Sequence, residues 1–165
     1  KFNEHSKIQS IIDDLKNGKV IGLVSDAGTP GISDPGYLIV KNCLENDIEV
    51  ECLPGPTALI PAIVISGIPS ERFSFEGFLP IKKGRKKRLE DLCREKRTMV
   101  FYESPHKISK TLDDLKVHFG KDRKVSVSKE LTKIHESTIR GTLGSINIGN
   151  GKIRGEFVIV VEGLK

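Results

Sequence analysis

Cysteine is too scarce and too scattered in this chain for disulfides or zinc to hold it together. Cys43, Cys52 and Cys93 are odd in number and widely spaced among apolar or helical neighbours. A disulfide framework needs an even set, and a zinc site needs closely spaced pairs. Reduced core thiols are expected. The four histidines include no pair one helical turn apart, so no metal is implied. No apolar run approaches the ~20 residues that cross a bilayer, and no signal peptide opens the chain; a cytoplasmic protein without membrane contact is expected. Internal repeats and low-complexity tracts are absent too. What remains is 165 residues, 37% apolar and 30% charged, enough for one ordinary core or two small lobes of a soluble protein.

The net charge of +5 is unevenly spread. It peaks at Lys82-Lys83-Gly84-Arg85-Lys86-Lys87-Arg88, where six of seven residues are cations. Such a run is either a solvated loop and helix start or a contact for a phosphate backbone. Cations in a first helical turn oppose the helix dipole, and dense like charges repel unless an anion is bound. Both costs favour a polyanionic partner.

Along the chain, Ile8, Ile11, Ile12 and Leu15 recur at helical spacing over Ser6 to Lys16, and Asn17-Gly18 closes the helix. Val20-Ile21-Gly22-Leu23-Val24 is continuously apolar, as a parallel strand buried on both faces would be. It opens into Ser25-Asp26-Ala27-Gly28-Thr29-Pro30-Gly31-Ile32-Ser33-Asp34-Pro35-Gly36. Asp34 with Pro35 predicts a helix start, whose Leu38, Ile39, Cys43 and Leu44 would face the sheet. Glu49 to Leu53 predicts a second strand, ending in Pro54-Gly55-Pro56, and Thr57 would cap a helix running to Ser66. This half reads as parallel α/β. A lobe boundary is expected at Gly67, giving lobes of residues 1–67 and 68–165. Beyond it, strands are expected at Phe73 to Phe78, Thr98 to Tyr102, Val125 to Lys129, Ser137 to Thr142 and Phe157 to Glu162. Helices are expected at Arg85 to Glu95 and Ser109 to Phe119, with a short helix or turn at Leu143 to Ile148, in a mixed-sheet lobe. Two parallel strands bury little surface, so the first lobe looks incomplete and further sequence upstream is expected.

The glycine-rich loop at the end of a strand is either an ordinary connection or one wall of a ligand site, since ligands of open α/β sheets sit beyond the strand carboxyl ends. Glycines there allow backbone shapes closed to other residues and let a ligand approach. The loop ends in no Gly-Lys-Ser/Thr and is not GxGxxG, which makes phosphate capture doubtful. Its carbonyls and carboxylates suit a ligand with amino, hydroxyl or sulfonium groups. Phe101-Tyr102-Glu103-Ser104-Pro105-His106 ends a strand of the second lobe and would close a cleft between lobes.

Five segments then occur together in order: Ser25 to Gly36, Pro54-Gly55-Pro56-Thr57-Ala58, Phe75-Glu76-Gly77-Phe78-Leu79-Pro80, Phe101 to His106, and Lys129-Glu130-Leu131-Thr132-Lys133. In this order and spacing they resemble the small-subunit ribosomal RNA 2′-O-cytidine methyltransferases of the tetrapyrrole methylase superfamily, over essentially the whole chain. The resemblance implies a two-lobed α/β fold, with an incomplete parallel-sheet first lobe and a mixed-sheet second lobe. Members carry an N-terminal strand and a Pro- and Gly-containing loop before the segment that Phe2-Asn3-Glu4-His5 resembles. This chain is therefore expected to lack one wall of the cofactor site and to be inactive alone.

The resemblance further implies an S-adenosylmethionine site contacting Ser25, Asp26, Ala27, Thr29, Thr57 and Ala58, with Glu103, Leu131 through its backbone, and Glu156 from the second lobe. The Ser-Asp-Ala triplet stands where tetrapyrrole-modifying relatives usually have Gly-Asp-Pro, favouring the RNA branch. The implied reaction is in-line attack of a cytidine ribose 2′-hydroxyl of small-subunit (16S) RNA on the cofactor methyl. Alignment contributes roughly 7–11 kcal/mol to such a step, and a general base about 10²–10⁴-fold. Glu103, His106 and Lys133 are the catalytic candidates, with Glu130 nearby; each has an ordinary structural alternative. Lys82, Lys83, Arg85, Lys86, Lys87 and Arg88 become an RNA-backbone contact, and Tyr102 either stacks on a base or belongs to the core. The partner would be ribosomal RNA or the assembled small subunit, and the family expectation is a homodimer. A tetrapyrrole or diphthine-type methylase of the same superfamily, or a non-catalytic RNA-binding module, are the alternatives.

Overall fold

Residues 4–149 and 153–165 are described by the computed structural model; Phe2 and Asn3, where the family resemblance begins, lie outside them. The chain divides into two compact units after Thr57. The division falls one helix earlier than the boundary expected at Gly67, because the helix before Gly67 packs on the sheet that follows it.

In the first unit, α1 (Glu4–Lys16) packs against α2 (Tyr37–Glu45). Ile12 and Cys43 are buried. Gly18, at φ 83°, lets the chain leave α1 with its N–H on the Leu15 carbonyl. The Asp34-Pro35 helix start is corrected: Gly36 is the N-cap, at a φ of 143° that favours glycine, and α2 begins at Tyr37. Leu44, expected to face a sheet, is largely exposed. Neither strand expected in this half forms. Val20 is 99% and Val24 86% exposed, and Leu53 and Cys52 are exposed as well. An apolar run becomes a strand only when a neighbour satisfies its backbone ladder, and among the described residues neither segment has such a neighbour.

The second unit follows the sequence pattern closely. Helix α3 (Leu59–Ser66) starts after Ala58 rather than at a Thr57 cap. Then come β1 (Phe73–Phe78), α4 (Arg85–Leu92), β2 (Thr98–Glu103), α5 (Ile108–Phe119), β3 (Lys124–Lys129), β4 (Ser137–Thr142) and β5 (Phe157–Val161). The strands form one mixed sheet of order β1-β2-β5-β3-β4, parallel only between β1 and β2. Strand β5 (Phe-Val-Ile-Val-Val) is buried throughout because both sheet faces are covered. On one face, Met99, Phe101, Val127, Ile159 and Val161 pack with Leu89 and Leu92 of α4 and Ile108, Leu112, Leu115 and Phe119 of α5. On the other, Val100, Val158 and Val160 meet Leu59, Ala62 and Ile63 of α3. Leu143 to Ser145 form a turn. Helix α4 ends at Leu92, short of Glu95.

Candidate functional site

In the first unit, the two loops expected to hold a ligand lie side by side. The Thr29 hydroxyl donates to the Pro56 carbonyl at 2.9 Å. Gly55 permits this approach, since a Cβ there would stand 3.0 Å from Thr29 Oγ1. The Ser25 hydroxyl folds back on the Ala27 and Gly28 carbonyls at 3.2 and 3.0 Å. Gly28 and Gly31 take left-handed φ of 74° and 82°. The resulting surface exposes Asp26 and Ala27 and leaves Thr29 half-buried. Thr57 is half-buried at the end of the second loop, while Ala58, exposed, opens α3 of the second unit.

In the second unit, Glu103 closes β2 and is only 5% exposed. Its Oε1 accepts from the Ser104 N–H at 2.7 Å and its Oε2 from the Thr111 hydroxyl at 2.6 Å. A carboxylate so engaged anchors the turn that follows β2. Lys133 is held in place as well. Its Nζ donates to Glu156 Oε2 at 2.9 Å and Glu130 Oε1 at 3.1 Å, and these bonds raise its pKa, keeping it protonated. Glu130 is held ionised in turn, its pKa lowered first by the Glu156 N–H and then by Lys133. Glu130 and Thr132 hold left-handed φ of 50° and 67°, so the loop around Leu131 is shaped against ordinary backbone preference. Leu131 packs its side chain on the α3 face of the sheet. His106 is exposed on the turn before α5, and no described group hydrogen-bonds its ring.

The basic run separates into two kinds of cation. Arg85 is 9% exposed, with Nε on Asp114 Oδ2 at 2.8 Å, Nη1 on the Pro80 carbonyl at 3.1 Å and Nη2 on Thr111 Oγ1 at 2.8 Å. Arg88 pairs with Glu76, the extra residue of a bulge between Phe75 and Gly77. Arg85 is thereby committed within the fold, whereas Arg88, though paired, keeps its side chain about half exposed. Lys82, Lys83, Lys86 and Lys87 remain exposed. Tyr102 packs edge-on against Phe75 and Phe78, with ring centroids at 4.9 and 5.9 Å, and its hydroxyl accepts from the Leu59 N–H. It is a core group, not a base platform. Sequence reasoning missed Thr111 and Asp114; the available signal was a hydroxyl at 111 on the apolar stripe of α5 that carries Ile108, Leu112 and Leu115.

Residues 2–147 match the family model for Tetrapyrrole (Corrin/Porphyrin) Methylases. The chain belongs to the tetrapyrrole methylase family. Within it, the chain is 48% identical, over 98% of its length, to a ribosomal RNA small subunit methyltransferase I of Xylella fastidiosa (strain Temecula1). It is 44% identical over 97% to the protein of that name in Mycobacterium tuberculosis (strain CDC 1551). It spans 61% and 57% of those relatives' lengths. Among solved structures, the methyltransferase CobJ superposes with a TM-score of 0.71 at 20% identity, covering 97% of this chain and 71% of that one. A uroporphyrin-III C-methyltransferase from Thermus thermophilus, complexed with S-adenosyl homocysteine, gives 0.63 at 16% identity, covering 96% and 73%. These two likenesses establish the fold.

Proposed function

We propose that the chain serves an S-adenosylmethionine-dependent methyltransferase that methylates the ribose 2′-hydroxyl of a cytidine in small-subunit (16S) ribosomal RNA. The observation that carries this reading is the 44–48% identity, along almost the whole chain, to relatives named as ribosomal RNA small subunit methyltransferases. Naked RNA or the assembled subunit is the proposed partner, and a homodimer the proposed association.

The first-unit loops fit the proposed cofactor in their chemistry: the exposed Asp26 carboxylate is an acceptor for amino or hydroxyl groups, and the close packing of Thr29 on Pro56 holds the loop backbone firmly. Ser25, Asp26, Ala27, Thr29 and Thr57 are the proposed contacts there. Ala58, Glu103, Leu131 and Glu156 are those of the second unit, with Glu103 acting through the turn it anchors. When bound, the cofactor supplies an activated sulfonium methyl. Of the catalytic candidates, His106 has an uncommitted ring among the described residues, and it is the proposed proton acceptor for the ribose hydroxyl. Lys82, Lys83, Lys86 and Lys87 are the proposed phosphate contacts, binding by charge and without base readout.

The test is nucleoside mass spectrometry of small-subunit RNA from cells with and without the gene. Loss of a 2′-O-methylcytidine is expected on deletion. An unchanged nucleoside profile refutes the reading and leaves a tetrapyrrole or protein substrate, or a purely RNA-binding role. His106→Gln in the complete gene product is expected to lower kcat by about 10²–10⁴-fold, with KM for RNA little changed.

A further inference from the structure

A buried polar chain runs through the second unit and joins two surfaces that the sequence treats as separate. Arg85, the first residue of α4, bonds Thr111 on α5, and Thr111 bonds Glu103 at the end of β2. Thr111 is fully buried, with its hydroxyl accepting from the guanidinium on one side and donating to the carboxylate on the other. At one end, Arg85 Nη1 holds the Pro80 carbonyl, so the loop carrying Lys82 and Lys83 is tied at its start and its end, just before Lys86 and Lys87. At the other, Glu103 Oε1 holds the Ser104 N–H. The Ser104 carbonyl then accepts from the Lys107 and Ile108 N–H groups at 3.1 Å, which closes the turn presenting His106.

Buried charges contribute little net stability compared with apolar packing. What a fully satisfied buried network gives is a single arrangement of the groups it touches. Here those groups are the lysine segment and the His106 turn. We propose that Thr111 and Arg85 are positioning residues that hold these two surfaces in fixed register, so that RNA held by the lysines meets a correctly placed His106. This rests on the methyltransferase reading above.

Thr111→Val keeps the shape and cuts both bonds, whereas Thr111→Ser keeps them. In the complete gene product, Thr111→Val is expected to lower kcat about tenfold while leaving KM for RNA within about twofold, and Thr111→Ser to restore kcat. Thr98→Val removes another buried hydroxyl bond, to the Pro69 carbonyl at 2.5 Å, away from the network. It is the stability control and should leave kcat unchanged. Equal losses in Thr111→Val and Thr98→Val, or an unaltered kcat in Thr111→Val, overturn the proposal. If the unsubstituted protein transfers no methyl group, it is the enzymatic reading that fails. The network is then judged by amide exchange at Ser104, which Thr111→Val should accelerate; unchanged exchange refutes it.

Discussion

Glu95 shows how a local pair sets pH behaviour at a single residue. Its carboxylate accepts from Arg97 Nε at 3.0 Å and Nη2 at 2.8 Å, and from the Arg97 N–H at 2.8 Å. The side-chain bond leads in lowering its pKa to about 2. A depressed carboxylate contributes stability that is present above the unfolded pKa of 4.5 and is lost as pH falls towards 2. Glu95→Gln is therefore expected to lower Tm only slightly at pH 7, because water screens a partly exposed pair. Thermal melts from pH 7 to pH 2 should show the two proteins converging at the acid end. Gly163 illustrates a purely steric demand. A Cβ there would collide with the Lys96 carbonyl, beside the bond from the Leu164 N–H to the Glu95 carbonyl. Gly163→Ala is expected to cost upwards of ~2 kcal/mol in denaturant unfolding, since backbone must shift to admit it.

At the scale of elements, α5 is the helix on which most of one sheet face depends. Ile108, Thr111, Leu112, Leu115 and Phe119 form its buried stripe, and Leu115 is fully enclosed. Leu115→Ala is expected to cost about 2–5 kcal/mol, read from the urea midpoint. Helix α4 is different: its first turn carries Lys86 and Lys87 with no acidic residue and no side-chain cap. Among the described residues, the bonds of Arg85 and Arg88 tie its basic side to the fold. Replacing Lys82, Lys83, Lys86 and Lys87 by Ser should reduce the log–log salt slope of single-stranded RNA binding by about 3. Arg88→Ser should leave that slope nearly unchanged. An equal effect from both would mean the arginine also reaches phosphate. The strands β1 to β5 were legible from alternation, β-branched runs and turn residues, because each has a neighbour in the described chain. Val20 to Val24 carries an equally strong apolar signal, yet no strand forms, since a strand is a property of a pair.

For the molecule as a whole, the two units differ in how their backbone is secured. The second has a sheet with apolar clusters on both faces. In the first, the segments around Val20–Val24 and Glu49–Leu53 have no ladder bonds among the described residues. Native-state hydrogen exchange is expected to be slowest in β2 and β5 and fast in those two segments. Slow exchange at Val20–Val24 would show that another part of the protein or a partner satisfies that backbone. No helix among the described residues is long and apolar enough to cross a membrane.

What the sequence determined by itself was the class of fold, the second-unit elements and the family. Hydrophobic periodicity and turn chemistry are local, and the five motifs are carried by residue identity in order. What the tertiary structure decided was the role of individual charges. Six cations among seven residues look alike in sequence. Burial sets apart Arg85, bonded to Asp114, and a tertiary partner, Glu76, sets apart Arg88, while the four lysines stay exposed, Lys86 near only Glu90 of its own helix. In the same way the fold gives Glu103 and Lys133 partners that the sequence does not show, because a group's chemistry depends on which donors and acceptors stand beside it.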